Sequence, residues 1–228
     1  MEYMVRGAKQ SLNDLDIKDW EIIVVDDGST DRTAELVQGM AAEDSRVRLV
    51  SHGENKGFGR AVRTGIESSV YDWIFYSDCD GQFDLSELGL LWEIREKGDI
   101  ISGYRRNRKD PGMRLVYSFL WNTLSSVMFL GGFKDVDASF KLYRASIFKR
   151  IKPRSVCGVI DFEIMTLARS MGYRVIQVPV SHFHRRAGTV SFESVRTGFI
   201  AWVRIGPIIE MFKELMEFRI RTWKGDVN

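Results

Sequence analysis

The residues best suited to chemistry are the aspartates of Asp78-Cys79-Asp80-Gly81-Gln82, which close the apolar run WIFYS. In an extended chain alternate side chains share a face, so Asp78, Asp80 and Gln82 are expected to converge while Cys79 turns back toward the core. Three oxygen donors suit a hard divalent cation, Mg2+ or Mn2+, which takes one or two carboxylates and completes its shell with phosphate oxygens and water. A nucleotide-diphospho-sugar would bring those phosphates, and the cation would neutralise charge building on the departing diphosphate. A surface turn carrying two aspartates is the plainer alternative. Cys79 is a poor ligand for such an ion, because thiolates prefer softer metals.

Two further motifs sit where an apolar run gives way to an amphipathic one. Asp26-Asp27-Gly28-Ser29-Thr30-Asp31 ends the first run, with Ser29 or Thr30 placed to cap the following helix. Capping alone leaves the second aspartate unexplained, and a carboxylate there could accept hydrogen bonds from a base or ribose. Asn55-Lys56-Gly57-Phe58-Gly59-Arg60-Ala61 follows VRLVS and opens a helix. Its glycines and backbone amides allow close approach of a nucleotide, or make a simple strand-to-helix turn. It lacks the closing Gly-Lys-Ser/Thr of an ATP-hydrolysing P-loop. Asp137 in VDASF, with Asp161 and Glu163, supplies candidates for a general base, whereas His182 and His184, alternating on one strand, read chiefly as structural.

The elements that position these groups follow a βαβαβαβ rhythm from Glu21 to about Gly103: EIIVVDD, 31–43, VRLVS, 57–69, WIFYSD, 84–97, DIISGY. That rhythm predicts a mainly parallel sheet with helices on both faces and ligands beyond the carboxyl strand ends. Beyond it the pattern predicts an Arg- and Gly-rich loop at 105–114, a helix at 115–133, a strand at 136–143, a helix at 161–171, a strand at 174–183 and a helical tail over 192–223. The 228 residues are 44% hydrophobic, enough for one core, and 33 basic against 31 acidic residues give no global pull toward nucleic acid. Two distant cysteines form no metal knuckle and, with no signal peptide before the first periodic segment, point to a reducing cytosolic setting. The run 115–133 carries no charge over nearly a bilayer's span, but Ser118, Asn122, Ser125 and Ser126 give it a polar stripe, which favours an interfacial or core helix.

The strings EIIVVDDGSTDRT, NKGFGRA with Gly65-Ile66, and SDCDGQFD resemble the inverting glycosyltransferase family 2 with its GT-A fold. SGYRRNR, VDASFKLYRASIFKRI and DFEIMTLARSMGYRVIQVPVSHFHRRAGTVSF are similar to its polyprenyl-phosphate branch, the dolichol-phosphate mannosyl- and glucosyltransferases. The resemblance implies an α/β three-layer GT-A domain over 1–191, with a nucleotide-sugar half to about 104 and an acceptor half from 105, and a C-terminal helical appendage over 192–228. It implies donor contacts from Asp27, Gly28, Asn55, Gly57, Asp78 and Arg185, metal ligands Asp78, Asp80 and Gln82, and catalytic roles for Asp80, Arg105, Arg114 and Asp137. The family's R-x-x-G-x-S is displaced by one residue at Arg185-Arg186-Ala187-Gly188, so either arginine could hold phosphate.

Relatives open on a central strand ending in Pro-x-Tyr-Asn-Glu, whereas MEYMVRGAKQSLNDL reads as the helix that follows it. The resemblance therefore implies a mixed, mainly parallel sheet lacking that strand, and leaves a truncated nucleotide-binding relative as an alternative of another class. A polyprenyl phosphate is the expected acceptor, since it is already ionised and needs no strong base, and no adjacent Glu-Asp pair stands near 161. A sugar hydroxyl is the alternative. The expected setting is peripheral, on the cytoplasmic face of a membrane, with 115–133 at the interface and Arg and Lys of 144–154 toward anionic headgroups.

Overall fold

The computed structural model describes residues 1–106, 132–185 and 205–225. Residues 115–131 of the helix expected over 115–133, Arg114, Arg186 and the first part of the expected tail helix lie outside them. The amphipathic opening forms α1 (Glu2–Asp14), which buries Met4 and Val5, and Val5 packs with Val24, Val37 and Val47. Strands β1 (Ile22–Asp26) and β2 (Val47–Ser51) pair in parallel around α2 (Thr33–Glu43), with Asp26 opposite Ser51. α3 (Phe58–Ser68) leads to β3 (Trp73–Ser77).

A second sheet is ordered β3-β5-β4-β6, with β4 at Ile100–Arg106, β5 at Phe140–Arg144 and β6 at Val175–Ser181. β4 pairs in parallel with β6, while β5 runs antiparallel to both β3 and β4. The sheet is mixed, as expected, but no ladder joins β1 to β3 among the described residues. The antiparallel placing of β5 has no periodic signature, because apolar alternation is the same whichever way a strand runs. The segment expected as one helix over 84–97 is instead a 3-10 turn at Leu85–Glu87, a short α4 (Leu88–Trp92) and a second 3-10 turn at Arg95–Lys97. Asp84 opens it by accepting a hydrogen bond from the Ser86 amide.

The core lies between this sheet and α5 (Val159–Ser170). β4 is apolar on both faces, with Ile100 packed toward α5 and Ile101 toward Phe83, Leu91 and Phe140 on the other side. The last helix, α6 (Ile205–Lys224), turns Met211, Leu215 and Phe218 into the α5 cluster, so its inner face belongs to the core. Phe218 meets Phe162 edge to face at 6.3 Å, and burying each such ring contributes about 1.5–3 kcal/mol. This topology brings the carboxyl ends of β3, β4 and β6 and the amino end of β5 to one edge.

Candidate active site at the sheet edge

β3 ends at Ser77 and the chain bends at once. Gly81 takes a φ of 74°, and Asp80 Oδ1 accepts the Gln82 amide at 2.9 Å, closing a tight turn. The alternation expected over 78–82 is therefore replaced by a turn. Cys79 is exposed rather than directed at the core. Gln82 is anchored to the chain after β6: its Nε2 donates to the Phe183 carbonyl at 3.3 Å, and the Phe183 amide donates to the Gln82 carbonyl at 2.9 Å. The carboxylates of the motif are a pair, and no group of three or more His, Cys, Asp or Glu side chains suited to a metal occurs among the described residues.

The pair is electrostatically loaded. Asp78 is pushed up to about 6, first by desolvation and then by the charge of Asp80, against a lowering hydrogen bond from Ser139. Asp80 Oδ2 faces Arg185 Nη2 at 3.0 Å. Behind them Lys141 is fully buried, with Nζ 2.8 Å from Asp161 Oδ1 and 5.9 Å from the Tyr76 ring centre. Asp137 is also pushed up to about 6, by desolvation and by Asp135, with Arg105 and Lys141 opposing. Arg105 lies on β4 rather than in a loop, and it grips Asp135 through two side-chain contacts of 2.7 Å and its own amide at 3.1 Å. Such a buried fork is among the stronger ion-pair geometries.

The first-half motifs are arranged differently. Asp27 accepts the Lys56 and Gly57 amides, both at 2.9 Å, and lies 2.7 Å from His52 Nδ1. Burial alone would raise Asp26, but hydrogen bonds from Ser29 and Ser51 outweigh it and hold this carboxyl below its ordinary range. Neither Ser29 nor Thr30 caps a helix, since α2 starts at Thr33, whose amide is taken by Asp31 at 2.9 Å. A Cβ on Gly28 would stand 2.6 Å from the Asn55 amide nitrogen, and one on Gly57, whose φ is 95°, 2.5 Å from the Val156 carbonyl oxygen. The Gly59 amide donates to that same oxygen at 2.8 Å. The expected cradle for a nucleotide is thus a close crossing of the chain's own backbone.

Glu163 and His182 are packed into the fold. Glu163 accepts the Arg154 and Ser155 amides at 2.9 and 2.8 Å and meets Arg221 at 2.6 Å, which explains why it is buried. His182 is buried edge-on to Phe83 at 5.6 Å, and His184 is exposed.

The family model described as Glycosyl transferase family 2 matches residues 3–152. This chain belongs to glycosyl transferase family 2. A dolichyl-phosphate beta-glucosyltransferase of Dictyostelium discoideum is 31% identical, the match covering 78% of this chain and 61% of the relative. An undecaprenyl-phosphate 4-deoxy-4-formamido-L-arabinose transferase of Edwardsiella ictaluri is 32% identical over 75% of this chain and 52% of the relative. A polyprenol monophosphomannose synthase of Mycolicibacterium smegmatis is 30% identical over 73% of this chain and 68% of the relative. The similarity within the family is to its polyprenyl-phosphate branch, and the chain spans only 61% and 52% of the first two relatives. A structure of glucosyl-3-phosphoglycerate synthase from Mycobacterium tuberculosis with Mn2+, UDP and phosphoglyceric acid shares the fold at a TM-score of 0.59 and 18% identity, covering 80% of this chain and 66% of that one.

In this family 2 chain the predicted residues fall into two sets. Asp78, Asp80, Arg185, Arg105 and Asp137 gather at the edge formed by β3, β4, β5 and β6, whereas Asp27, Gly28, Asn55 and Gly57 form the β1–α3 crossing. None of them lines the cleft of about 520 Å³ between Val156 and Ile220. Two crowded carboxylates short of a closed cage are a donor set that a hard divalent cation uses when phosphate completes its shell. Sequence reading missed Lys141, Asp135 and Ser139. A signal existed for Lys141: a lone lysine inside FKLYR, whose neighbours are apolar or aromatic, needs a buried partner, and Asp161 within VIDFEIM is its counterpart.

Proposed function

We propose that this chain transfers a sugar from a nucleotide-diphospho-sugar to a polyprenyl phosphate, with inversion, and that the Asp78–Asp80 pair holds a divalent cation, Mg2+ or Mn2+. The observation that carries the reading is the pairing of Asp80 with Arg185 beside a carboxylate that Asp80 itself disfavours from ionising. The site holds opposed charges in one place, as binding a diphosphate through both a cation and a guanidinium requires. The activities of the polyprenyl-phosphate relatives support the acceptor class.

Asp78 and Asp80 would hold the cation, which when bound supplies charge neutralisation to the leaving diphosphate. Arg185 exchanges its contact with Asp80 for phosphate oxygens, a two-pronged match that lysine would not reproduce. Arg105 frames the acceptor side by fixing Asp135 next to Asp137, and the resemblance to the family assigns Arg114, which lies outside the described residues, to the same phosphate-binding work. Asp27, with Gly28, Asn55 and Gly57, sets the height of the donor floor by locking the 52–57 turn. A lipid phosphate reaches such a site from a membrane surface, so the protein works at that surface. Among the described residues no helix is long and apolar enough to cross a membrane. The test is mass-spectrometric detection of glycosyl polyprenyl phosphate from Mn2+, a panel of UDP- and GDP-sugars and undecaprenyl phosphate. Product with one donor supports the reading, and no product or nucleoside diphosphate release with any donor overturns it.

A second reading, a sugar hydroxyl as acceptor, is favoured by Asp137, whose displaced value of about 6 suits a general base near neutral pH. Asp137→Asn separates the two. Loss of turnover with donor binding intact supports the hydroxyl route, and turnover within about threefold of the parent supports the phosphate route, where no base is needed.

A further inference from the structure

Residues 153–157 form a strap that joins neither helix nor strand. A segment without a ladder must find other partners for its amides, and here four successive amides go to two helix carboxylates. Glu163 of α5 takes those of Arg154 and Ser155. Glu214 of α6 takes those of Val156 at 3.1 Å and Cys157 at 3.3 Å, and the Cys157 thiol donates to it at 3.0 Å. α6 reaches the strap a second time through Arg221, which is bonded to the other oxygen of Glu163. Val156 is 45% exposed, so water would serve its amide. A charged acceptor instead holds the strap at a set height, with a bond roughly twice as strong as a neutral one.

The carbonyls of the strap bear on the amino end of α3. The Val156 carbonyl accepts the Gly59 amide at 2.8 Å, and the Pro153 carbonyl accepts Arg63 Nη1 at 3.3 Å. A Cβ on Gly59 would stand 2.6 Å from the Ser155 carbonyl oxygen and 2.9 Å from that of Cys157. Backbone therefore rests on backbone, with no side chain between to absorb a displacement. Asp27 holds the Lys56 and Gly57 amides, so the 56–59 turn is gripped by Asp27 and by the strap. We propose that Glu214 is a positioning residue for the donor nucleotide: through the strap, α6 sets where the amino end of α3 meets the donor. The proposal rests on the donor-floor reading of Asp27, Asn55 and Gly57 given above. It gives α6 a part in donor binding at one remove.

The test is calorimetric titration of UDP and of GDP, each with and without Mn2+, into the full chain and three variants whose folding is checked by circular dichroism. Glu214→Ala should weaken binding of the nucleotide that the parent takes by about tenfold or more, the scale of a small misplacement passed to a site. The ratio of affinities with and without Mn2+ should stay at the parent's value, because the Asp78–Asp80 pair is untouched. Glu214→Gln keeps the length and an oxygen for the Val156 amide, and should stay within about threefold of the parent. Glu214→Asp keeps the charge but draws it back by one methylene, and should bind more weakly than Glu214→Gln. If Glu214→Ala does not fold, this last comparison carries the test. A parent that binds neither nucleotide overturns the donor reading and this proposal with it. A parent that binds, beside folded Ala and Asp variants of unchanged affinity, overturns this proposal alone, as does an Asp variant that binds better than the Gln variant.

Discussion

Aspartates close both β1 and β3, yet the two strand ends are opposite kinds of place. At β1, Asp27 is satisfied by two backbone amides and a histidine, and Asp26 by two serines. Charge there is neutralised by the chain itself, and the carboxylates act as fasteners between the 26–31 and 52–57 turns. At β3, Asp78 is raised by burial and by the charge of Asp80, Arg185 pairs with Asp80, and Lys141 is paired with Asp161. A satisfied carboxylate builds the fold, and a crowded one retains free energy that a cation or a phosphate can release on binding.

The largest effect that tests this contrast lies beneath the β3 edge. Lys141→Met removes the cation paired with buried Asp161 and is expected to cost about 3–5 kcal/mol by denaturant unfolding. Adding Asp161→Leu should recover much of that loss, because the penalty is an unpaired charge rather than a cavity. At the β1 edge, Asp27→Ala should cost about 2 kcal/mol, the worth of its bonds to the Lys56 and Gly57 amides. If Asp27→Ala left stability unchanged and removed only donor affinity, the fastening role would be wrong.

The smallest effect concerns pH. Asp137 holds its proton to about 6 in the folded state against an ordinary 3.8, so the native form binds more protons through that interval. Its stabilising contribution is complete below about 4 and is lost as pH rises through about 6. Unfolding free energies of the parent minus Asp137→Asn should therefore decline between those values and level above them. A difference that rises with pH would place Asp137 in a different environment.

Much of this contrast was legible in the residues. The rhythm from Glu21 to Gly103 placed β1, α2, β2, α3, β3 and β4 within a few residues, because each pairs a strong apolar run with an amphipathic one. Both aspartate motifs were placed at strand ends for the same reason. The roles within them were less legible, since Asp27 is bonded to amides 29 and 30 residues away and no local pattern records such a contact. Gly81 reversed the reading of Cys79, because a single left-handed residue ends alternation where hydrophobicity alone continues it. β5 was expected to start at 136, but residues 135–139 are drawn into a turn by the Arg105–Asp135 clamp and the Phe140–Ala138 hydrogen bond.

The central claim, that the crowded pair at β3 holds a divalent cation and through it a diphosphate, is tested most directly by calorimetric titration of UDP and GDP. The titration compares the parent and Asp80→Asn, with and without Mn2+. The account predicts that the parent binds at least one of them far more tightly with Mn2+ than without, and that Asp80→Asn abolishes the difference while remaining folded. Equal affinity with and without Mn2+ in the parent, or an Mn2+ enhancement that survives in Asp80→Asn, would contradict it.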